Sequence, residues 1–331
     1  MILHPAEKKR RANKRRAGVL SGKVLIGPER FYLPITNRCN LTCCYCWFHS
    51  KDNPARLLPR LDVPLKRLKS MVADCVALEV DSLYLSGEGE PTLHPQFAAM
   101  MALLEDKPME TVLFTNGAFP AARCRDVIKA DEVVVNLGAA DRESYMKLQG
   151  ADLFERVVAN IKELARLRDA SKPAFKITLD FVVTNVNLDQ REAVQRLFMR
   201  LAGGEFRATA LRDCPYNRDL RTTDAQGVLI GKGAVSPVCV NGWYFCIATL
   251  GGDVRYCFQR AHWRINGMAA RSLREVWFSP AFMKARLEGK CGRLGKVFEE
   301  CQNCLYDKYN VQWLSAQRRI KAVLLKSSDG H

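Results

Sequence analysis

Cys39, Cys43 and Cys46 follow the spacing C-x3-C-x2-C, with an aromatic residue, Tyr45, directly before the last. Thiolates are soft ligands suited to iron-sulfur clusters, and a cubane normally takes four of them. Three cysteines this close leave one iron without a local protein ligand, open to an exogenous molecule. Structural zinc asks for a closed tetrahedron, and only His49 is near enough in sequence to serve as a fourth ligand. Whatever the chain folds into must therefore deliver three sulfurs to one point.

The flanking segments continue the pattern. An apolar strand, Phe31-Tyr32-Leu33-Pro34-Ile35-Thr36, leads into the cysteines, and about 40 residues later Leu83-Tyr84-Leu85 runs into Ser86-Gly87-Glu88-Gly89-Glu90-Pro91-Thr92. Glycine lets backbone approach a ligand closely, and proline fixes the exit of the turn. Together the cysteine loop, the preceding strand and this turn resemble the radical S-adenosylmethionine (SAM) superfamily. The resemblance implies that Cys39, Cys43 and Cys46 hold a [4Fe-4S] cluster and that the turn Glu88, Gly89, Glu90 and Pro91 holds the amino group of SAM's methionine moiety. Glu88 stands where that family more often has glycine. It also implies reductive cleavage of SAM to a 5'-deoxyadenosyl radical that removes a hydrogen atom from substrate. The electron would come from an external donor of flavodoxin or ferredoxin type. Tyr45 is expected on the adenine side.

Further strand ends fall in the expected order. Val112-Leu113-Phe114-Thr115-Asn116-Gly117 resembles the third strand, Val133-Val134-Val135-Asn136-Leu137-Gly138 the fourth and Phe175 to Thr184 the fifth, with Gly204 to Leu211 as a sixth. The resemblance places Asn136 at the SAM ribose or carboxylate, Val182 to Asn185 near adenine, and Asn116 among the cofactor contacts. Asn116 and Asn185 can equally be turn caps, which asparagine favours. Helical periodicity over Leu65 to Val80, Pro95 to Leu104, Arg142 to Leu167 and Leu188 to Leu201 alternates with these strands. Alternation of this kind predicts an α/β fold with a parallel sheet and helices outside. In the family that sheet curls into a partial (β/α)6 barrel, with ligands at the carboxyl ends of its strands.

A second cysteine group follows. Cys239 precedes a hairpin whose turn is Gly251-Gly252-Asp253, Cys257 closes it, and Cys301-Gln302-Asn303-Cys304 lies beyond Ser272-Leu273-Arg274-Glu275-Val276-Trp277. This resembles the twitch domain, a shortened SPASM domain, and implies that Cys239, Cys257, Cys301 and Cys304 hold one auxiliary [4Fe-4S] cluster. A zinc ribbon is the alternative for the same four residues, and Cys246 or Cys291 could replace one of them. Cys246, Cys75 and Cys124 read as small core residues, while Cys44 is expected to face away from the cluster. Cys214, just past the sixth strand, is the candidate catalytic hydrogen-atom donor, against a plain structural role.

Length suggests a basic arm at 1–27, a core at 28–228 and an auxiliary domain with a carboxyl-terminal helix at 229–331. With the first strand starting near Phe31, no separate amino-terminal leader-binding domain is expected. Thirteen cysteines without a signal peptide point to a reducing, cytoplasmic setting, and no apolar run approaches a membrane span. The net charge is +16, and seven lysines and arginines crowd Lys8 to Arg16. Such a block reads as a solvated, mobile arm, or as an attractor of an acidic partner. A basic amphipathic helix accounts for Trp313 to Lys326. Nucleic acid is not expected as a partner, because no aromatic-basic motif of known type is visible. The expected substrate is a ribosomally made peptide, with a small molecule such as an amino-sugar or cyclitol as the alternative.

Overall fold

The computed structural model describes residues 3–53, 59–171, 175–210, 238–257 and 271–293. Cys214, Cys301, Cys304 and the helix expected near the carboxyl terminus lie outside these residues. A single eight-stranded sheet organises the chain, in the order β6-β5-β4-β3-β2-β1-β7-β8. Its strands are β1 (Arg30–Leu33), β2 (Ser82–Leu85), β3 (Glu110–Thr115), β4 (Glu132–Asn136), β5 (Lys176–Val183), β6 (Glu205–Ala210), β7 (Phe245–Ala248) and β8 (Val254–Arg255). All neighbours pair in parallel except β7 and β8, which form an antiparallel hairpin.

Between the strands run α2 (Leu65–Ala77), α3 (Phe97–Leu104), the short α4 (Cys124–Val127), α5 (Arg142–Gln149), α6 (Phe154–Ala170) and α7 (Arg191–Leu201), while α8 (Leu273–Trp277) and α9 (Pro280–Lys290) follow the hairpin. The alternation expected from periodicity is thus present, with the six core strands within one to three residues of their expected ends. One expected helix, Arg142 to Leu167, is two. Gly150 adopts a left-handed φ of 74° and caps α5, a conformation that ends a helix at little cost only for glycine.

Strand alternation divides the sheet into two unlike faces. Phe31, Leu33, Leu83, Leu85, Leu113, Val133, Val135, Leu179, Phe181 and Cys246 are buried in one continuous core with Leu68, Phe97, Ile161, Leu164 and Phe198 of the helices. Arg30, Tyr32, Tyr84, Phe114, Asn136, Asp180 and Arg207 alternate with them and are only partly buried. That second face carries rings and charges beside aliphatic side chains such as Val112, Val134 and Val182.

One organisational expectation changes. Helix α1 (Pro5–Ser21) replaces the solvated arm. Arg15, 1% exposed, gives Nη1 to Asp81 Oδ2 at 2.7 Å and Nη2 to Oδ1 at 3.0 Å. It also donates to the carbonyls of Gly27, Pro28 and Glu79. Arg11 donates to the Val80 carbonyl at 3.0 Å, and Arg10 and Lys14 reach Glu79. The basic run lies along a helix, so several of its charges meet the acids ahead of β2. The hairpin adds to the core sheet through β7 and β1, with Phe31 opposite Cys246. Among the described residues no helix is long and apolar enough to cross a membrane.

Candidate active site

The cysteine loop begins two residues beyond Asn37, past the carboxyl end of β1, and is fastened on three sides. Toward α5, the Thr42 and Cys44 amides donate to the carbonyls of Gln149 and Leu148 at 3.1 and 2.9 Å. Toward the next crossover, Arg38 donates through Nε and Nη2 to the Asp62 carboxylate at 2.8 to 3.0 Å, which also accepts from Thr36 Oγ1. That pairing holds the Asp62 carboxyl below its ordinary range. Toward β2, the Glu90 amide donates to the Arg38 carbonyl at 2.7 Å, and His49 Nε2–H donates to the Glu88 carbonyl at 2.9 Å. A Cβ on Gly89 would stand 2.6 Å from the carbonyl oxygens of both Thr36 and Arg38, so glycine is required there for this close approach.

Cys39, Cys43 and Cys46 are each partly exposed and unbonded as disulfides. Desolvation, with each thiol also opposing ionisation of its neighbours, pushes Cys39 up to about 12 and Cys43 well above the usual thiol range. Partial exposure with desolvated sulfurs is what a concave pit produces. Phe48 and His49 amides point at Cys46 Sγ, 3.4 and 3.3 Å away, and Tyr145 Oη, within electrostatic range of Cys43 and Cys39, has no hydrogen-bond partner among the described residues. Soft donors, backbone N–H groups aimed at sulfur and mutual repulsion that a bound cation would relieve all fit an iron-sulfur cluster. Among the described residues no three His, Cys, Asp or Glu side chains close on a single-ion site, and a cubane spreads its ligands over separate corners.

The residues expected around SAM separate into two groups. Glu90, 3% exposed, accepts from Thr92 N at 3.2 Å, Thr92 Oγ1 at 2.6 Å, Thr115 Oγ1 at 2.8 Å and Asn116 N at 2.7 Å. Burial pushes its carboxyl up, partly offset by those donors. Its carboxylate is consumed in bracing the turn, with Pro91 opening the short helical turn behind it. Asn116 caps a turn through Ala118 N and donates to Asn40 Oδ1 at 2.8 Å, so it links β3 to the cysteine loop. Glu88 Oε1 accepts from Leu250 N in the β7–β8 turn at 3.0 Å. This tie brings the hairpin to the SAM-type turn.

Tyr45 Oη donates to Asn136 Oδ1 at 2.9 Å, and Asn136 Nδ2 donates to the Asp180 carbonyl at 3.1 Å. Tyr45 and Asn136 therefore meet each other at the inner face. Val182, partly buried on β5, lies on the same face; its carbonyl accepts from Asn187 Nδ2. Cys44 packs against the helix-side core, Cys75, Cys124 and Cys246 are buried there, and Cys291 is exposed. Cys239 and Cys257, on either side of the hairpin, are partly buried against the same core. Asn40, Thr92, Thr115, Asp180 and Gln149 were not singled out from sequence. Thr115, at a strand end, and Thr92, two residues from Glu90, carried a local signal; Asn40, Asp180 and Gln149 are joined by contacts between distant segments.

The family model described as "Radical SAM superfamily" matches residues 33–197. A "Probable GTP 3',8-cyclase" of Sulfurisphaera tokodaii is 28% identical over 171 residues, covering 50% of this chain and 50% of that protein. An "S-adenosylmethionine-dependent nucleotide dehydratase" of Selenomonas ruminantium is 26% identical over 164 residues, 48% of this chain and 57% of that one. The chain spans about half the length of the curated relatives it matches. In structure it is similar to SuiB of Streptococcus suis bound to S-adenosylmethionine, with a TM-score of 0.58, 16% identity, and coverage of 85% of this chain and 73% of that one. SuiB has also been solved bound to its precursor peptide SuiA, with a TM-score of 0.57, 16% identity, and coverage of 86% of this chain and 73% of that one.

Proposed function

The chain belongs to the radical SAM superfamily, and on that premise we propose that it cleaves SAM reductively and uses the resulting 5'-deoxyadenosyl radical to abstract a hydrogen atom from substrate. Cys39, Cys43 and Cys46 would hold the [4Fe-4S] cluster, which when bound supplies the electron that breaks the sulfonium carbon-sulfur bond. The protein's own contribution is to bind, orient and exclude water. One observation carries this reading: the three-cysteine loop is locked against the Glu88-to-Pro91 turn through the Arg38 carbonyl, the Glu88 carbonyl and the bare Cα of Gly89. Two segments about 45 residues apart in sequence are thereby held as one rigid cradle at the carboxyl ends of β1 and β2.

Within that cradle the backbone of Glu88 to Pro91 would receive the methionine end of SAM. Glu90 acts from behind as a brace, and Asn116 ties the turn to Asn40. Asn136, oriented by Tyr45, faces the inner side where a ribose or carboxylate would lie, and Val182 lines the same side toward adenine. A second cluster on Cys239, Cys257, Cys301 and Cys304 remains part of the proposal, as do an auxiliary domain from residue 229 and an electron donor of flavodoxin or ferredoxin type. Cys214 is retained as the proposed hydrogen-atom donor.

For substrate, we favour a small anionic molecule of the nucleotide kind. The curated relatives are named for nucleotide chemistry, and the inner face combines rings with guanidinium groups. Peptide maturation, the first expectation from sequence, has as its support the likeness in fold to SuiB. The test of the core proposal is replacement of Cys39, Cys43 and Cys46 by Ala in the anaerobically reconstituted chain. Iron should fall by about four per chain and 5'-deoxyadenosine formation from SAM and dithionite should cease. Persistence of that product would remove the assignment.

A further inference from the structure

We infer that Arg207 is a specificity residue, receiving a phosphate of a nucleoside phosphate substrate on the inner face of the sheet. The inference deepens the nucleotide reading above and rests on it. On β6, Phe206 and Ala208 pack toward the helix-side core, so Arg207 and Thr209 project to the opposite face. Arg207 Nε donates to Asp180 Oδ1 at 2.9 Å, and Thr209 Oγ1 donates to the same oxygen at 3.0 Å. The guanidinium carbon stands 5.6 Å from the centroid of Phe114. One edge and one face of the group are thus held, while among the described residues neither terminal nitrogen meets an acceptor. The side chain remains 38% exposed.

A guanidinium fixed through Nε presents its remaining N–H groups as a planar fork, which matches phosphate oxygens two at a time. The surroundings favour a ring-bearing ligand. Tyr84 lies 6.0 Å from Phe114 and Tyr32 lies 4.5 Å from Tyr84, so rings continue from the guanidinium across the sheet toward β1. Such a row offers stacking surface for a base. Glu132 and Glu205 lie within electrostatic range of the guanidinium but make no ion pair with it: Glu132 is shared by Lys176 at 4.0 Å and Thr178 Oγ1 at 2.6 Å, and Glu205 faces Lys176 at 3.6 Å. The fork is also placed near the proposed chemistry. Asp180, which orients it, accepts through its carbonyl from Asn136, and Asn136 accepts from Tyr45 of the cysteine loop.

The test titrates GTP, guanosine and inorganic phosphate into the full reconstituted chain by isothermal calorimetry, comparing wild type, Arg207→Lys and Arg207→Gln. Wild type should bind GTP at least about tenfold more tightly than guanosine, and Arg207→Gln should lose about ten- to hundredfold in GTP affinity, the range expected for a charged hydrogen-bonded contact. Arg207→Lys keeps the charge without the fork and should fall between, with guanosine affinity little changed in either variant. Inorganic phosphate should compete with GTP on wild type and far less on Arg207→Gln. Failure of wild type to bind GTP, equal GTP affinity in wild type and Arg207→Gln, or a parallel loss of guanosine would each overturn the proposal. Circular dichroism melting checks the fold, and the lysine variant decides if the glutamine variant misfolds. Formation of 5'-deoxyadenosine by wild type without nucleotide reports on the radical SAM reading separately.

Discussion

Replacement of Glu90 by Gln separates a brace from a ligand. The carboxylate accepts four hydrogen bonds, three on Oε1 and one, from Asn116 N, on Oε2. Glutamine preserves the shape but must present an NH2 group to one of those donors. With the amide oxygen facing the two threonines, its nitrogen opposes the Asn116 amide, leaving a buried N–H unpaired. That costs about 1 to 3 kcal/mol, partly offset because the buried charge is removed. A net loss of about 2 kcal/mol lowers the melting temperature of a chain this long by about 3 °C. Burial holds the Glu90 carboxyl above its ordinary value in the folded chain, so its contribution is fully present in acid and is lost as pH rises through the folded value. The non-titrating glutamine variant lacks that loss, so the gap between the two proteins should narrow from acid to neutral pH. Scanning calorimetry across pH, with SAM titration on the reconstituted chain, measures both effects. An unchanged melting temperature combined with a tenfold or greater loss of SAM affinity would refute the reasoning, because the carboxylate would then be touching the ligand.

Two further outcomes follow from the packing. Asp81→Asn strips the carboxylate from Arg15, a buried guanidinium that keeps only its carbonyl partners; about 3 kcal/mol is expected, seen by hydrogen exchange as roughly 100-fold weaker protection of residues 5–21. Glu79→Gln, touching only the half-exposed Arg10 and Lys14 pairs, should cost under about 1 kcal/mol, and equal effects of the two variants would contradict the buried latch. At Gly150, φ is 74° and a Cβ would stand 2.1 Å from Thr42 Oγ1. Gly150→Ala should therefore cost at least about 2 kcal/mol and reduce iron retained after reconstitution; wild-type melting and iron content would mean that the cysteine loop does not rest on α5.

Much of the architecture was legible because its signals are local. The continuous apolar run Val133-Val134-Val135, buried on both faces of its strand, and the spaced leucines of α6 are local patterns that survive in the bare chain. The run Lys8 to Arg16 was not legible in this way. Charge density predicts solvation when the acids are unknown, and Glu79 and Asp81 lie more than 60 residues away. Glu88 and Glu90 show the same limit at the site. Both occupy motif positions, yet one side chain reaches Leu250 and the other turns inward to Thr92, Thr115 and Asn116.

By itself, then, the amino-acid sequence determined the chemistry a site could perform and the order of strands and helices that would carry it, since ligand type, cysteine spacing and hydrophobic period are properties of short segments. The tertiary structure alone decided which polar groups brace the cradle and which stay available, how the hairpin joins the sheet beside β1, and where Arg207 presents its fork. Those outcomes depend on hydrogen bonds and ion pairs between residues tens to hundreds of positions apart. Their partners are chosen by how the helices and strands pack, a relation no local pattern records.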